Sequence, residues 1–125
     1  MRLLLDTRIF LWAVAGSPRL KPAARRLIES AEQVYVSAAS IWEIAIKAQL
    51  GKIEADPHAL NDAIAASGFL ELSVRAAHAA GVARLAAHHT DPFDRLLVAQ
   101  ALAEPLRLLT ADAALAQYGD IVVLA

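Results

Sequence analysis

Apolar residues recur along this chain in two rhythms. The first is the short unbroken run: Arg2-Leu3-Leu4-Leu5, Gln33-Val34-Tyr35-Val36-Ser37, Phe69-Leu70-Glu71-Leu72, Arg107-Leu108-Leu109-Thr110 and Ile121-Val122-Val123-Leu124. Such runs, rich in leucine and β-branched residues, suit five strands buried on both faces. The second rhythm has helical spacing between start and stop signals. Thr7 to Ala15 closes at Gly16-Ser17-Pro18, and Lys21-Pro22 to Ala31 carries Ala24, Leu27, Ile28 and Ala31 on one side. Ala38 to Leu50 stops at Gly51, and Asp56-Pro57 opens a helix that runs through Ala66. Ser73 is placed to cap a helix from about Val74 to Ala87, Phe93 to Glu104 ends before Pro105, and a short helix from Ala113 to Tyr118 closes at Gly119. At the start of the Phe93 helix, Asp91 suits the N-cap, Pro92 the first helical position and Asp94 the third.

Strands alternating with helices imply right-handed crossovers and a mainly parallel, doubly wound sheet of about five strands. The expected architecture is a three-layer α/β/α domain spanning residues 1–125. Ligands of such sheets gather at the carboxyl ends of the strands. Asp6 ends the first strand and Asp112 follows the fourth. Glu43 lies early in the helix after the second strand, and Asp94 starts the helix that leads into the fourth. All four can face one cavity.

Composition narrows the picture. A chain of 125 residues is one domain in size. With 58% hydrophobic and only 20% charged residues, its polar surface is thin, which predicts an apolar face covered by a second chain. Phe10, Leu11, Trp12, Trp42 and Ile46 are the candidates for that face. No apolar run approaches the roughly 18 residues of a membrane span, cysteine is absent, and the charge at Asp6 comes too early for a signal peptide, so a cytoplasmic location is expected. A net charge of −1 gives no case for a basic, nonspecific nucleic-acid binder. Any nucleic acid must be held by a local patch.

Each acid has an ordinary explanation taken alone. Asp6 caps a helix, Asp94 completes a capping box, and Glu43 pairs with Lys47 one turn on. Convergence does not follow from those roles. Like charges brought together either raise their pKa values or bind a hard cation, and an oxygen-only set without Cys suits Mg²⁺ or Mn²⁺ rather than Zn²⁺. Histidine is not obviously among the ligands: His88 and His89 are expected in a loop, His58 and His78 on helix surfaces.

Four stretches, taken in order, carry a resemblance. They are Leu4-Leu5-Asp6-Thr7; Ser37-x-x-Ser40-x-Trp42-Glu43-Ile44-Ala45-x-Lys47 with Gly51-Lys52; Asp91-Pro92-Phe93-Asp94-Arg95-Leu96-Leu97; and Leu109-Thr110-Ala111-Asp112. The chain resembles PIN-domain proteins end to end, and among them the VapC-type toxins of bacterial toxin–antitoxin pairs. The resemblance implies a Mg²⁺- or Mn²⁺-dependent endoribonuclease, usually a homodimer, held inactive by a small VapB-like antitoxin. It carries the catalytic acids onto Asp6, Glu43, Asp94 and Asp112, with Thr110 as a polar neighbour and Asp91 as a helix cap. Two positions depart from the pattern: Arg8 stands where close relatives often have His, and Thr90 where many have Arg.

On this reading Asp6 and Asp94 are the main metal ligands, and Glu43 and Asp112 act through metal-bound water. Arg8, Lys47, Arg95 and Thr110 are the candidates for contact with the RNA. Two alternatives stay open: a non-catalytic PIN-fold binding module, and a receiver-like phospho-acceptor domain. The second wants an extra acidic pair near the first strand and a Lys after the last, and the chain supplies neither. A haloacid-dehalogenase-like phosphatase wants Asp-x-Asp where this chain has Asp6-Thr7-Arg8.

Overall fold

A computed structural model describes all 125 residues. The strands are β1 (Arg2–Leu5), β2 (Gln33–Ser37), β3 (Leu70–Leu72), β4 (Arg107–Thr110) and β5 (Val122–Leu124). They form a single sheet in the order β3-β2-β1-β4-β5, parallel throughout. The helices are α1 (Thr7–Ala15), α2 (Pro22–Ser30), α3 (Ala38–Gln49), α4 (Pro57–Ala66), α5 (Ala76–Gly81) and α6 (Pro92–Ala103). Two 3-10 segments, Val82–Arg84 and Ala113–Tyr118, complete the set.

The alternation of side chains along each strand divides the core in two. Leu3, Leu5, Val34, Val36 and Leu109 point to one face and pack against Ile9 and Phe10 of α1, Ala24 of α2, Ile44 of α3 and Ile64 of α4. Leu4, Leu72 and Leu108 point to the other and meet Leu97, Val98 and Ala101 of α6 together with Leu115. The chain therefore winds across one face from β1 to β3, returns over the opposite face, and lays β4 on the far side of β1. That reversal opens a crevice between the carboxyl ends of β1 and β4, where this class of sheet binds its ligands. Across the rim, the ring of Trp42 on α3 meets that of Phe93 on α6 edge to face, with centroids 5.2 Å apart.

Most predicted elements form within a residue or two of their expected bounds, including the Asp91 cap with Pro92 in the first turn of α6. The helix expected from Val74 to Ala87 does not. Only Ala76–Gly81 is α-helical, and Ser73 does not cap it; His78 Nδ1 accepts instead from the Arg75 N–H at 3.0 Å. The cause lies downstream. Arg95 donates to the carbonyls of Val82, Ala86 and His89 at 3.2 to 3.3 Å, and Tyr118 donates to Ala86 as well. Those carbonyls serve a tertiary anchor, which outweighs the helix propensity of the alanines around them. Two histidine and aromatic expectations also change: His78 is buried, with its Nε2 2.7 Å from Glu104, and Phe10 is buried in the core rather than available to a second chain.

The buried sheet and the Arg95 anchor make different predictions. Leu108→Ala should cost about 2–5 kcal/mol, whereas Leu124→Ala, on the exposed edge of the sheet, should cost no more than about 0.5 kcal/mol, as read from urea unfolding midpoints. Arg95→Met should cost about 1–3 kcal/mol and accelerate amide exchange selectively over residues 82–91; uniform exchange would remove the anchor role.

Candidate active site

Asp6, Glu43, Asp94 and Asp112 line one cavity of about 310 Å³, together with Thr7, Arg8, Lys47 and Asp91. The winding of the sheet explains how residues so far apart in sequence meet. Asp6 is the first residue beyond β1, and its backbone N–H donates to Leu109 of β4 at 3.0 Å. Its side chain accepts from the Ile9 N–H as N-cap of α1 at 2.8 Å and from the Thr110 hydroxyl on its other oxygen. Thr110 also accepts from the Asp112 N–H at 3.1 Å, so one hydroxyl sets two of the acids.

Glu43 is buried one turn and a half into α3. Thr7 donates to its Oε1 at 2.6 Å, Lys47 holds its Oε2 at 2.7 Å, and Ser40 is hydrogen-bonded to Thr7 at 2.9 Å. The helical i,i+4 pair is therefore real, and it coexists with burial at the cavity. Asp112 caps the 3-10 segment through Ala114 and receives His89 at 2.8 Å on its other oxygen.

Asp94 differs from these three. The N–H of Asp91, which a capping box would assign to Asp94, goes to His89 Nδ1 at 3.0 Å. Asp91 itself caps the N–H groups of Phe93 and Asp94. The Asp94 carboxylate has no hydrogen-bond donor; His89 Nε2 lies 3.6 Å away. Its pKa is pushed up to about 7, first by burial and then by the nearby charges of Asp91 and Asp6, with His89 opposing. Burial also raises Asp6, against the lowering effect of the Thr110 hydrogen bond. Asp112 is held below the usual carboxylate range, chiefly by its hydrogen bond from His89.

A partly buried carboxylate that lacks a donor and adjoins three other acids is a place where a divalent cation relieves repulsion. Asp94 and Asp112 bring carboxylate oxygens within 4.8 Å of one another, Asp6 and Glu43 line the same cavity without joining that group, and these hard oxygen donors fit Mg²⁺ or Mn²⁺. His89 also lies within reach: its ring nitrogen and oxygens of Asp94 and Asp112 all fall within 4.8 Å of one another. Its tautomer argues against ligation. Because Nδ1 accepts an N–H, the proton of the neutral ring is on Nε2, the atom facing the acids. His89 is thus a donor that aims Asp112.

Two residues expected at the substrate go elsewhere. Arg95 points away from the cavity and is spent on the carbonyls of the preceding loop, because these lie within reach of the first turn of α6. Thr110 is fully buried beneath Asp6, so it orients a carboxylate and meets no ligand. Arg8 and Lys47 do line the cavity. His89, Thr7 and Arg19 were not singled out from the sequence as members of this site. For Thr7 the signal was a hydroxyl directly after Asp6; for His89 it was a side chain two residues before an N-cap.

No curated protein matches the chain as a significant relative in sequence. Solved structures do match in fold. A chain in the crystal structure of VapBC2 from Rickettsia felis bound to a DNA fragment from its promoter has a TM-score of 0.71 at 17% identity, covering 100% of this chain and 98% of that one. A chain of DNA-bound VapBC from Salmonella typhimurium gives 0.70 at 14% identity, with 98% and 97% covered. One from a Klebsiella pneumoniae toxin–antitoxin complex gives 0.68 at 18%, with 97% and 95% covered. The PIN domain profile matches residues 3–121, nearly the whole chain, around an acidic crevice at the switch point of a parallel sheet: this protein belongs to the PIN domain family.

Proposed function

We propose that this protein is a metal-dependent endoribonuclease, the toxin of a type II toxin–antitoxin pair, that hydrolyses RNA phosphodiester bonds. The observation that carries the reading is Asp94: a carboxylate without a donor, in a cavity with four further acids, Asp6, Glu43, Asp91 and Asp112, that are all held in place. A purely structural cap has no use for that arrangement. The fold-level likeness to chains from VapBC and other toxin–antitoxin complexes supports a small VapB-like antitoxin as partner.

Bound Mg²⁺ or Mn²⁺, held by Asp6, Asp94 and Asp112 with Glu43 alongside, would supply Lewis acidity to the phosphate and acidify a coordinated water. The chain's own groups do the rest. Thr110 and the Ile9 N–H fix Asp6, Thr7 and Lys47 fix Glu43, and the Nε2–H of His89 fixes Asp112, so little reorganisation remains when substrate arrives. Arg8, exposed on the rim, offsets phosphate charge, and Lys47 adds to this from its pair with Glu43. Trp42 is 61% exposed beside Phe93, which supports a homodimer through this apolar rim. No helix is long and apolar enough to cross a membrane. The reading locates toxin, antitoxin and RNA together in the cytoplasm.

Asp94→Asn keeps volume and one side-chain oxygen while removing the charge. RNA cleavage in Mn²⁺ should fall by orders of magnitude, and the metal-free melting midpoint should hold or rise. A variant that cuts like wild type would sink the reading.

The pH dependence has a definite sign. With Asp94 at about 7 when folded and near 3.9 when unfolded, the folded state binds more protons between those values. Stability in EDTA should therefore fall as pH rises from about 4 to about 7, and Asp94→Asn should lose much of that decline. Mn²⁺ must displace the same proton, so its stabilising shift should grow over this window. Calorimetric melts at pH 5 and 8, with EDTA and with Mn²⁺, measure both effects.

A further inference from the structure

Every longer helix of this fold buries at least one apolar side chain, but α5 does not. Ala76, Ala77, Ala79 and Ala80 are exposed, and the one buried residue of the helix is His78. Its ring makes three contacts. Nδ1 accepts the Arg75 N–H at 3.0 Å and lies 3.4 Å from the side-chain Nε2 of Gln100 on α6, while the ring Nε2 donates to Glu104 at 2.7 Å. Gln100 Nε2 also donates to the Ser73 carbonyl at 3.3 Å. Two backbone groups at the head of α5 are therefore tied to α6 through one neutral imidazole and one amide.

Those roles hold only while the ring is neutral. A second proton goes on Nδ1, where it would face the Arg75 N–H and the Gln100 amide group, both of them donors. The acceptor that a charged ring needs is present and unused, because Gln100 Oε1 is fully buried without a partner. Turning the amide over presents Oε1 to Nδ1–H, and the ring Nε2–H keeps Glu104 as a charge-assisted pair. The same turn takes the donor from Ser73, and the new proton takes the acceptor from Arg75. Buried backbone groups left unpaired are costly, so the head of α5 gains by opening to water. The other charged groups on the elements packed here are committed or remote: Asp94 and Arg95 lie at the far end of α6, and Arg75 and Arg84 are exposed. Glu104 alone pairs with the ring.

We propose that His78 and Gln100 form a pH-operated latch, in which protonation of the ring releases residues 73–79 from α6 while the chain from Val82 onward stays closed. The closed segment requires a neutral ring, so opening takes up a proton and is favoured as pH falls through the range in which imidazole charges. The boundary at Val82 follows from the second tether, since the Arg95 guanidinium that holds the carbonyls of Val82, Ala86 and His89 does not titrate. The latch is independent of the nuclease reading. It also runs against the behaviour of the whole fold, which gains stability in EDTA on acidification towards about pH 5 because Asp94 takes up a proton.

Amide exchange of the whole protein in EDTA, corrected for intrinsic rates and compared at about pH 8 and about pH 5, tests the latch. Protection of the amides of residues 75–79 should drop at least about tenfold on acidification, while that of residues 82–91 and of α6 holds or rises. The ring resonance of His78 should titrate along the same curve as this loss. His78→Gln removes the titrating group, so its protection should differ by less than about twofold between the two pH values. Glu104→Gln removes the carboxylate that favours the charged ring and should keep residues 75–79 closed at about pH 5. Glu104 is partly exposed, so this variant decides the matter even if His78→Gln folds poorly. Equal protection of residues 75–79 at both pH values in wild type overturns the latch. So does a loss that persists undiminished in Glu104→Gln, or one spread evenly through residues 82–91 and α6.

Discussion

The hydrogen bond from the Asp6 N–H to the Leu109 carbonyl, 3.0 Å long, joins two strands separated by a hundred residues of chain. The arrangement of the cavity follows from that junction. Because β4 lies beside β1, the residues after each strand emerge side by side, and Thr110 at the end of one reaches Asp6 at the end of the other. Because the two halves of the chain wind over opposite faces, the helices that follow β2 and precede β4 arrive from opposite layers. They deliver Glu43 and Asp94 to the same crevice. The apolar core thus fixes the position of the charges, and none of the four acids contributes to that core.

Environment then separates residues that share a side-chain type. Asp94 and Asp112 are both within reach of His89, yet their acidities move in opposite directions. Asp112 takes the direct hydrogen bond and is the more exposed, so its charged form is favoured. Asp94 is more deeply buried, faces Asp91 and Asp6, and receives His89 only at 3.6 Å. The ring that stabilises one carboxylate is itself oriented by the N-cap of α6, since the Asp91 N–H fixes the acceptor at Nδ1. A backbone feature of the helix start is transmitted in this way to a carboxylate two elements away.

The sheet was legible in the sequence because a strand buried on both faces needs a continuous apolar run, and Leu3 to Leu5 and Leu108 to Leu109 supply it. The convergence of Asp6, Glu43, Asp94 and Asp112 on one cavity was legible from topology alone, since strand ends in a doubly wound sheet share one edge. What escaped were features decided by long-range partners. Arg95 follows Asp94 in sequence and looks like a cavity cation, but the carbonyls of Val82, Ala86 and His89 lie closer to hand. The same contacts truncate α5, which no local signal predicts. His78 carries the polarity of a surface residue and is buried because Glu104 and the Arg75 N–H satisfy both ring nitrogens.

The ordinary and the functional roles of these acids do not compete, because a carboxylate has more acceptor capacity than one hydrogen bond per oxygen consumes. Asp6 caps α1 and takes Thr110, Glu43 takes Thr7 and Lys47, and Asp112 caps the 3-10 segment and takes His89. In each case both oxygens are aimed by a donor and each retains a lone pair. Three acids are therefore rigid before any ligand arrives, held by interactions that also terminate helices or span a turn. Asp94 alone has no such donor to offset its burial, so desolvation first, and then the charges of Asp91 and Asp6, hold its pKa near neutrality. A cation entering the cavity would meet three fixed carboxylates and one that gives up a proton for the new charge, so the cost of burying a charge in this crevice is concentrated at Asp94, the residue that leads α6 back towards β4.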